Sequence, residues 1–289
     1  MEFASKENID KKVKIQSGLY IISTPIGNLK DITLRAIQVL KNSDLILCED
    51  TRISIKLFKK YNIKARMTSY HKFNERKTLY KIIQILKADK IVSLISDAGT
   101  PIISDPGLIL VRESIKNNIK LHPIPGASAL TSAMSISGFE EKFLFYGFLP
   151  NSKNQIENEI KKLSNFPYSI IFFVSSNKIN KIIEVFKKLF SERKILIAKE
   201  MTKIYENFIR EDISSLDLSK YNLKGELTVV ISNKFTERKK SLNQLSESVK
   251  NEIKSMIKKY SNKDVASFIS KKEKISKKII YNYCINLKK

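Results

Sequence analysis

The sequence predicts an α/β protein: a largely parallel sheet first, a mixed sheet second, and a small helical segment at the C-terminus. Three observations predict it. From Gly18 to Phe148 short apolar runs alternate with helix-period segments, the pattern of a parallel sheet covered by helices on both faces. Beyond Pro150 strand-like runs come with fewer helices between them, which suits a mixed sheet. From Phe235 the chain turns Lys- and Ser-rich, then becomes periodic again through Val265, Phe268 and Ile269 to Ile279, Ile280 and Tyr283.

Each element follows from its own residues. Leu19 to Ser23, Leu45 to Cys48, Ile91 to Ile95 and Lys120 to Pro123 are short apolar runs bounded by turn residues and read as strands. Between them, Ile32 to Leu40, Ile53 to Lys60, Leu79 to Leu86 and Leu108 to Lys116 carry apolar residues at helical spacing, and Ala127 to Ile136 reads as a small-residue helix. In the second half, Ile156 to Leu163 and Ile179 to Phe190 read as helices, and Ser169 to Val174, Ile195 to Ala198, Ile204 to Ile209 and Glu226 to Ile231 as strands. The resulting division is a loose tail over residues 1–16, an α/β domain over 17–124, a second one over 125–234, and a Lys-rich helical segment over 235–289.

Composition narrows the function. A 42% hydrophobic fraction in 289 residues supplies real cores, and no apolar run approaches the roughly 20 residues of a membrane span. Met1 to Gln16 is polar, without a signal-peptide pattern. Cys48 and Cys284 are too far apart in sequence for metal-ligand spacing or a disulfide framework. The expectation is a cytoplasmic protein with no metal site. A net charge of +24 fits a nucleic-acid partner. It fits compositional drift as well, since only eight of the 53 basic residues are Arg and Lys is spread through nearly every segment.

Four loops after expected strands carry Gly, Pro and small polar residues: Ser23 to Asn28, Glu49 to Arg52, Ser96 to Gly107 and Pro125 to Ser128. Any one alone is an ordinary turn. Together they mark the carboxyl ends of parallel strands, where ligands gather. In SDAGTPIISDPG, Gly99 lets a ligand approach the backbone, Pro101 fixes the turn, and Asp97 and Asp105 are acceptors suited to ribose hydroxyls or a cationic amino group. Neither G-x-x-x-x-G-K-[ST] nor G-x-G-x-x-G occurs, which argues against a nucleotide triphosphatase and a nicotinamide dehydrogenase. A ligand with a ribose, an adenine and little negative charge fits better, and S-adenosylmethionine is one.

STPIGNLKDIT-R, CEDTR, ISDAGTPIISDPG, IPGASA and GFLP occur here in the order and spacing of one family. Over Gly18 to Ile231 the chain resembles the ribosomal RNA small subunit methyltransferase I family, of the tetrapyrrole-methylase-like superfamily. The resemblance implies two α/β domains with S-adenosylmethionine in the cleft between them. It implies cofactor contacts from Pro25 and Gly27, from Asp97, Ala98, Gly99, Thr100 and Pro101, and opposite them from Gly126, Ala127 and Ser128. It also implies a homodimer acting on 16S ribosomal RNA in the small subunit, at the ribose 2′-oxygen of a cytidine near the decoding site. Two runs depart from the family: the usual F-Y-E-S-x-H-R is Phe172-Phe173-Val174-Ser175-Ser176-Asn177-Lys178 here, and the usual A-R-E-[LM]-T-K is Ala198-Lys199-Glu200-Met201-Thr202-Lys203.

Candidate catalytic residues are Asp50 and Arg52 at a strand end, and Lys203 after Glu200-Met201-Thr202. For Asp50 and Arg52 the plainer alternative is an ion pair capping the next helix; for Lys203 it is a surface lysine. His71 is a possible proton shuttle or a solvated loop histidine, and His122, inside a strand, reads as structural. Two other functions compete: methylation of a small tetrapyrrole or protein side chain, and a non-catalytic RNA-binding or ribosome-assembly role.

Overall fold

The computed structural model describes residues 15–234, 245, 247–273 and 275–287, so most of the expected tail and the start of the expected C-terminal segment lie outside the described residues. The chain divides into two compact units, 1–234 and 235–289.

Among the described residues the first unit contains two five-stranded sheets. Strands β1 (Gly18–Ile22), β2 (Leu45–Cys48), β3 (Met67–Ser69), β4 (Ile91–Leu94) and β5 (Leu121–Ile124) form an all-parallel sheet in the order β3-β2-β4-β1-β5. Strand alternation explains its two cores. Tyr20, Ile22, Ile46 and Cys48 face helices α1 (Leu34–Lys41) and α2 (Thr51–Tyr61), meeting Ala36, Val39, Leu40, Leu57 and Phe58. Leu19, Leu45, Leu47, Val92 and Leu94 point the other way, onto Ile82, Ile83 and Leu86 of α3 (Glu75–Lys87) and Leu110 of α4 (Leu108–Lys116). Pro123 is tolerated in β5 because that strand is an edge.

Adjacent strands β1 and β4 send their chains to opposite faces, to α1 and α4, so their carboxyl ends open a crevice. The loops that were expected to carry chemistry sit there.

The second sheet runs β6-β7-β10-β8-β9, from β6 (Phe143–Phe148), β7 (Ser169–Ser175), β8 (Lys194–Lys199), β9 (Asn207–Asp212) and β10 (Glu226–Ile231). Only β6 and β7 are parallel; the other pairs are antiparallel, giving the mixed sheet that was expected. One face (Ile170, Phe172, Val174, Ile195, Ile197, Val229) packs on α6 (Lys153–Leu163) and α7 (Ile179–Leu189). The other (Ile171, Leu196, Ala198, Val230) meets α5 (Ala129–Ser135) and, from the first sheet's loops, Ile26. Arg193, 2% exposed, ties this sheet to its surroundings by donating to the carbonyls of Ser164, Phe166, Tyr168 and Ser232. Burial pulls its pKa down to about 10, still far above neutrality.

Two strands were not anticipated. β3 has three half-buried residues in a polar stretch, too short for an alternation signal. β6 is aromatic-rich and its register shifts between Phe145 and Gly147, which blurs the period. β9 begins at Asn207, so Ile204 and Tyr205 stand in the preceding turn, 94% and 75% exposed.

Among its described residues the C-terminal unit has three helices, α8 (Glu247–Met256), α9 (Asn262–Glu273) and α10 (Lys277–Asn286). Val249, Ile253, Val265, Ala266, Ile269, Ile280 and Cys284 form its own core. No helix among the described residues is long and apolar enough to cross a membrane.

Candidate functional site

The loop after β1 and the loop after β4 are locked together. Thr24 and Gly99 exchange backbone hydrogen bonds, Thr24 N–H to the Gly99 carbonyl at 2.8 Å and Gly99 N–H to the Thr24 carbonyl at 3.0 Å. Thr24 Oγ1 donates to the Ser96 carbonyl at 3.0 Å, and the Ser23 and Thr100 hydroxyls meet at 2.9 Å. The second of these loops is conformationally unusual. Gly99 has φ +78°, and two non-glycine residues, Ile102 at +75° and Ser104 at +69°, share the left-handed region. For a β-branched residue such as Ile102 that is a strained conformation, held by its surroundings.

This loop forms one wall of a cavity of about 390 Å³, within the range of small-molecule sites. Asp97, Ala98, Gly99, Thr100, Ser104 and Asp105 line it from the first sheet's side. Phe173, Val174, Ser175 and Ser176 from the end of β7, Gly225 to Thr228 at the start of β10, Met201 and Phe148 line it from the second sheet's side, with Ser128 at the start of α5.

Carboxylates gather along the first wall. Burial pushes the Asp105 carboxyl up to about 6, helped by the nearby Glu49 charge. Asp97 is raised as well, chiefly by burial, although the Asp50 N–H donates to it at 3.0 Å and opposes the rise. Glu49 is raised by burial and by the charge of Asp97.

Of the ten expected cofactor contacts, Asp97, Ala98, Gly99, Thr100 and Ser128 line the cavity, and Pro25, Gly27, Pro101, Gly126 and Ala127 do not. Those outside it shape the loops. A Cβ on Gly27 would lie 2.5 Å from Lys203 Cγ and 2.9 Å from the Met201 carbonyl, so Gly27 permits the first loop to press against the turn between β8 and β9. There the Asn28 N–H donates to Thr202 Oγ1 at 3.0 Å. Gly126 sits against Ser23, where a Cβ would come within 3.0 Å of the serine Cβ, and the Ala127 carbonyl accepts from Thr100 Oγ1 at 3.4 Å. Gly99 itself is required by its φ; a Cβ there would meet Ile26 at 3.4 Å.

None of the three candidate catalytic side chains lines the cavity; each stands beside a group that does or one step further out. Asp50 caps α2, accepting from the Arg52 N–H at 2.8 Å, and its carboxylate pairs with the Arg52 guanidinium at 2.6 Å. That hydrogen-bonded pairing holds the Asp50 carboxyl down at about 2. The Arg52 side chain is 88% exposed beyond it. The Lys203 ammonium is bound to Glu200 at 3.0 Å and to Glu226, a cavity residue, at 2.7 Å. Partial burial works against its charge, but the two carboxylates outweigh it and raise its pKa, so it is a cation and no base at neutral pH. His71 lies outside the cavity and accepts the Phe73 N–H on Nδ1 at 3.3 Å. His122 stacks on Tyr20 with ring centroids 4.4 Å apart, a packing role.

Motif reasoning missed the second wall. Phe148 and Phe173, whose rings meet edge to face at 5.5 Å, and the Gly225 to Thr228 segment carry no loop signature. The available signals were GFLP, which ends β6, and the departure noted at Phe172 to Lys178.

Residues 18–217 match the family model described as Tetrapyrrole (Corrin/Porphyrin) Methylases. Among curated relatives, "Ribosomal RNA small subunit methyltransferase I" of Rickettsia prowazekii is 43% identical over 232 residues, 79% of this chain and 83% of the relative. The protein of that name from Neisseria meningitidis is 33% identical over 275 residues, 93% of this chain and 94% of the relative. A match that long runs into the C-terminal unit. Among solved structures, diphthine synthase superposes with a TM-score of 0.58 at 14% identity, covering 74% of this chain and 89% of that one. A uroporphyrin-III C-methyltransferase from Thermus thermophilus, complexed with S-adenosylhomocysteine, does so with 0.54 at 13% identity, covering 74% and 97%.

Proposed function

This chain belongs to the ribosomal RNA small subunit methyltransferase I family, and from that premise we propose that it methylates the ribose 2′-oxygen of a cytidine in the decoding region of 16S ribosomal RNA. The observation that carries the reading is the cavity: an acidic, glycine-containing loop after β4 facing the largely apolar ends of β7 and β10. Its residues fit S-adenosylmethionine. Asp97 and Asp105 are acceptors for ribose hydroxyls or a cationic ammonium. Phe173, Met201 and Leu227 offer apolar surface to a base or thioether, and Gly99 and Thr100 supply close-lying backbone. When bound, the cofactor supplies an electrophilic methyl group on a sulfonium.

The protein's share of the chemistry is mainly alignment. The Thr24–Gly99 bridge braces the first wall and the Asn28 N–H on Thr202 ties it to the second, and such positioning supplies roughly 7–11 kcal/mol in well-aligned systems. Excluding water there strengthens the carboxylates' hold on a cation. Arg52, exposed beside the cleft, is free to exchange its Asp50 partner for an RNA phosphate. Lys203 positions Glu226 at the rim and neutralises it. A homodimer in the cytoplasm, with the small subunit as partner, completes the proposal.

Mapping 2′-O-methyl marks on 16S RNA from cells with and without the gene tests it. The expected result is one cytidine mark that disappears. A methylated base with an unmodified ribose would overturn the 2′-oxygen assignment, and an unchanged methylation map would overturn the whole reading.

A further inference from the structure

The loop after β3, residues 70–74, is ordered by its own hydrogen bonds yet contributes nothing to the cavity. Its base is anchored: Tyr70 is buried, its N–H donates to the Cys48 carbonyl at 2.8 Å, and Ser69 Oγ donates to the Glu49 carbonyl at 3.2 Å. Asn74 closes the turn, accepting from the His71 N–H at 2.9 Å and donating through Nδ2 to the Ser69 carbonyl at 3.0 Å. At the tip of this fixed loop Phe73 is 95% exposed, its ring set edge-on to that of His71 with centroids 6.0 Å apart.

A single exposed apolar residue needs no explanation. Phe73 is not single. Along α3 Arg76, Lys77 and Tyr80 follow at helical spacing on the solvent side, with Tyr80 77% exposed, and Lys72 precedes it. Neither Lys72, Arg76 nor Lys77 forms an ion pair among the described residues. Aromatic faces interleaved with unpaired cations are the surface that holds single-stranded nucleic acid: bases stack on the rings and phosphates meet the cations.

The location ties the stripe to the site. Neighbouring strands lie about 4.8 Å apart, and β3 is separated from β4, whose loop lines the cavity, only by β2. The intervening Glu49 lies within electrostatic reach of both His71 and Asp97. The β3 and β4 backbones are therefore roughly 10 Å apart, and the loops that follow them leave the same carboxyl edge of the parallel sheet.

We propose that Phe73 is a stacking platform for an unpaired RNA base flanking the target nucleotide, with Lys72, Arg76 and Lys77 taking the adjacent phosphates. This rests on the RNA-methyltransferase reading and adds to it a single-stranded substrate, splayed across the β3 edge, because sequence-specific RNA recognition targets unpaired segments.

The test is fluorescence anisotropy of the full chain with a short single-stranded RNA carrying 2-aminopurine, and with the same RNA annealed to its complement. The expected result is that Phe73→Ala weakens single-strand binding about tenfold and abolishes 2-aminopurine quenching, while Phe73→Trp retains both. Duplex binding and S-adenosylmethionine affinity should not change. Because Phe73 packs in no core, a matching thermal melt is expected for both variants. Equal single-strand affinity and quenching for wild type and Phe73→Ala, in a protein that methylates small subunits, would overturn the platform and leave the methyltransferase reading standing. Loss of RNA binding in Phe73→Ala, with no methyl transfer by the wild type, would support the platform and sink the reading it rests on. A wild type that binds no single-stranded RNA would overturn the platform while leaving the methyltransferase reading, whose partner is the small subunit, standing.

Discussion

The two walls of the cleft are made by opposite means. The first is a set of loops: polar, carboxylate-bearing, held in left-handed backbone at Gly99, Ile102 and Ser104, and secured by short cross-loop hydrogen bonds. The second is mostly strand: Phe173 and Val174 at the end of β7 and Leu227 and Thr228 in β10, backed by an apolar core on α6 and α7. Loops fix chemical groups in place at the expense of strain. Strands supply shape and stiffness, and tolerate exchange of the side chains they present. The difference explains how the chain keeps the loop motifs intact while replacing the run at Phe172 to Lys178.

The largest effect should come from the second wall's foundation. Arg193→Ala leaves its carbonyl partners without a donor in a buried place, and should lower stability by about 3 kcal/mol or more in urea unfolding. Arg52→Ala, on the first wall's exposed rim, should leave the urea midpoint nearly unchanged, because a solvent-exposed ion pair contributes little to stability.

Next is Gly99→Val. A β-branched residue at φ +78° would break the Thr24 bridge, so S-adenosylmethionine affinity should fall at least tenfold, about 1.4 kcal/mol. Calorimetry on the folded variant checks this; unchanged affinity would mean the strained loop is not what holds the ligand.

Asp105 gives a smaller, pH-dependent signature. Its folded pKa is raised from 3.8 to about 6, so the folded state holds the proton more tightly than the unfolded chain. Its contribution to stability is therefore present at low pH and lost as pH rises through about 6. Cofactor affinity should run the other way, rising severalfold as the carboxylate ionises to meet a cation. Asp105→Asn should flatten both profiles; an affinity that does not vary between pH 5 and 7 would remove Asp105 from the site.

The smallest effect on turnover should come from restoring the departed run at Phe172 to Lys178. Val174 is 3% exposed within the α6–α7 core, so Val174→Glu, combined with Asn177→His and Lys178→Arg, must place a carboxylate where an apolar side chain packs. The triple variant should be less stable and should change single-turnover methylation less than tenfold. A larger gain would show that the second wall contributes chemistry.

What was legible in the sequence follows the same divide. Strands β2 and β10 and helix α4 were read to the residue because each is a continuous apolar or periodic run bounded by turn residues. The SDAGTPIISDPG loop was legible because glycine, proline and carboxylates at a strand end are chemically conspicuous. Phe148, Phe173 and Glu226 were not, since a residue at a strand end looks like any other until the fold shows what it faces. Gly27, expected as a ligand contact, lies outside the cavity lining, and its lack of a side chain makes room for Lys203 and Met201 of the other wall. Asp50 was open to two readings, and its geometry is that of a helix cap.

The central claim is that the two walls together make a working methyltransferase site despite the replaced run. Single-turnover transfer of labelled methyl from S-adenosylmethionine to small ribosomal subunits tests it most directly. The natural protein is expected to deliver one methyl group to a cytidine ribose, with Gly99→Val failing at the same cofactor concentration. No transfer by the natural protein, with transfer by the triple variant, would contradict it.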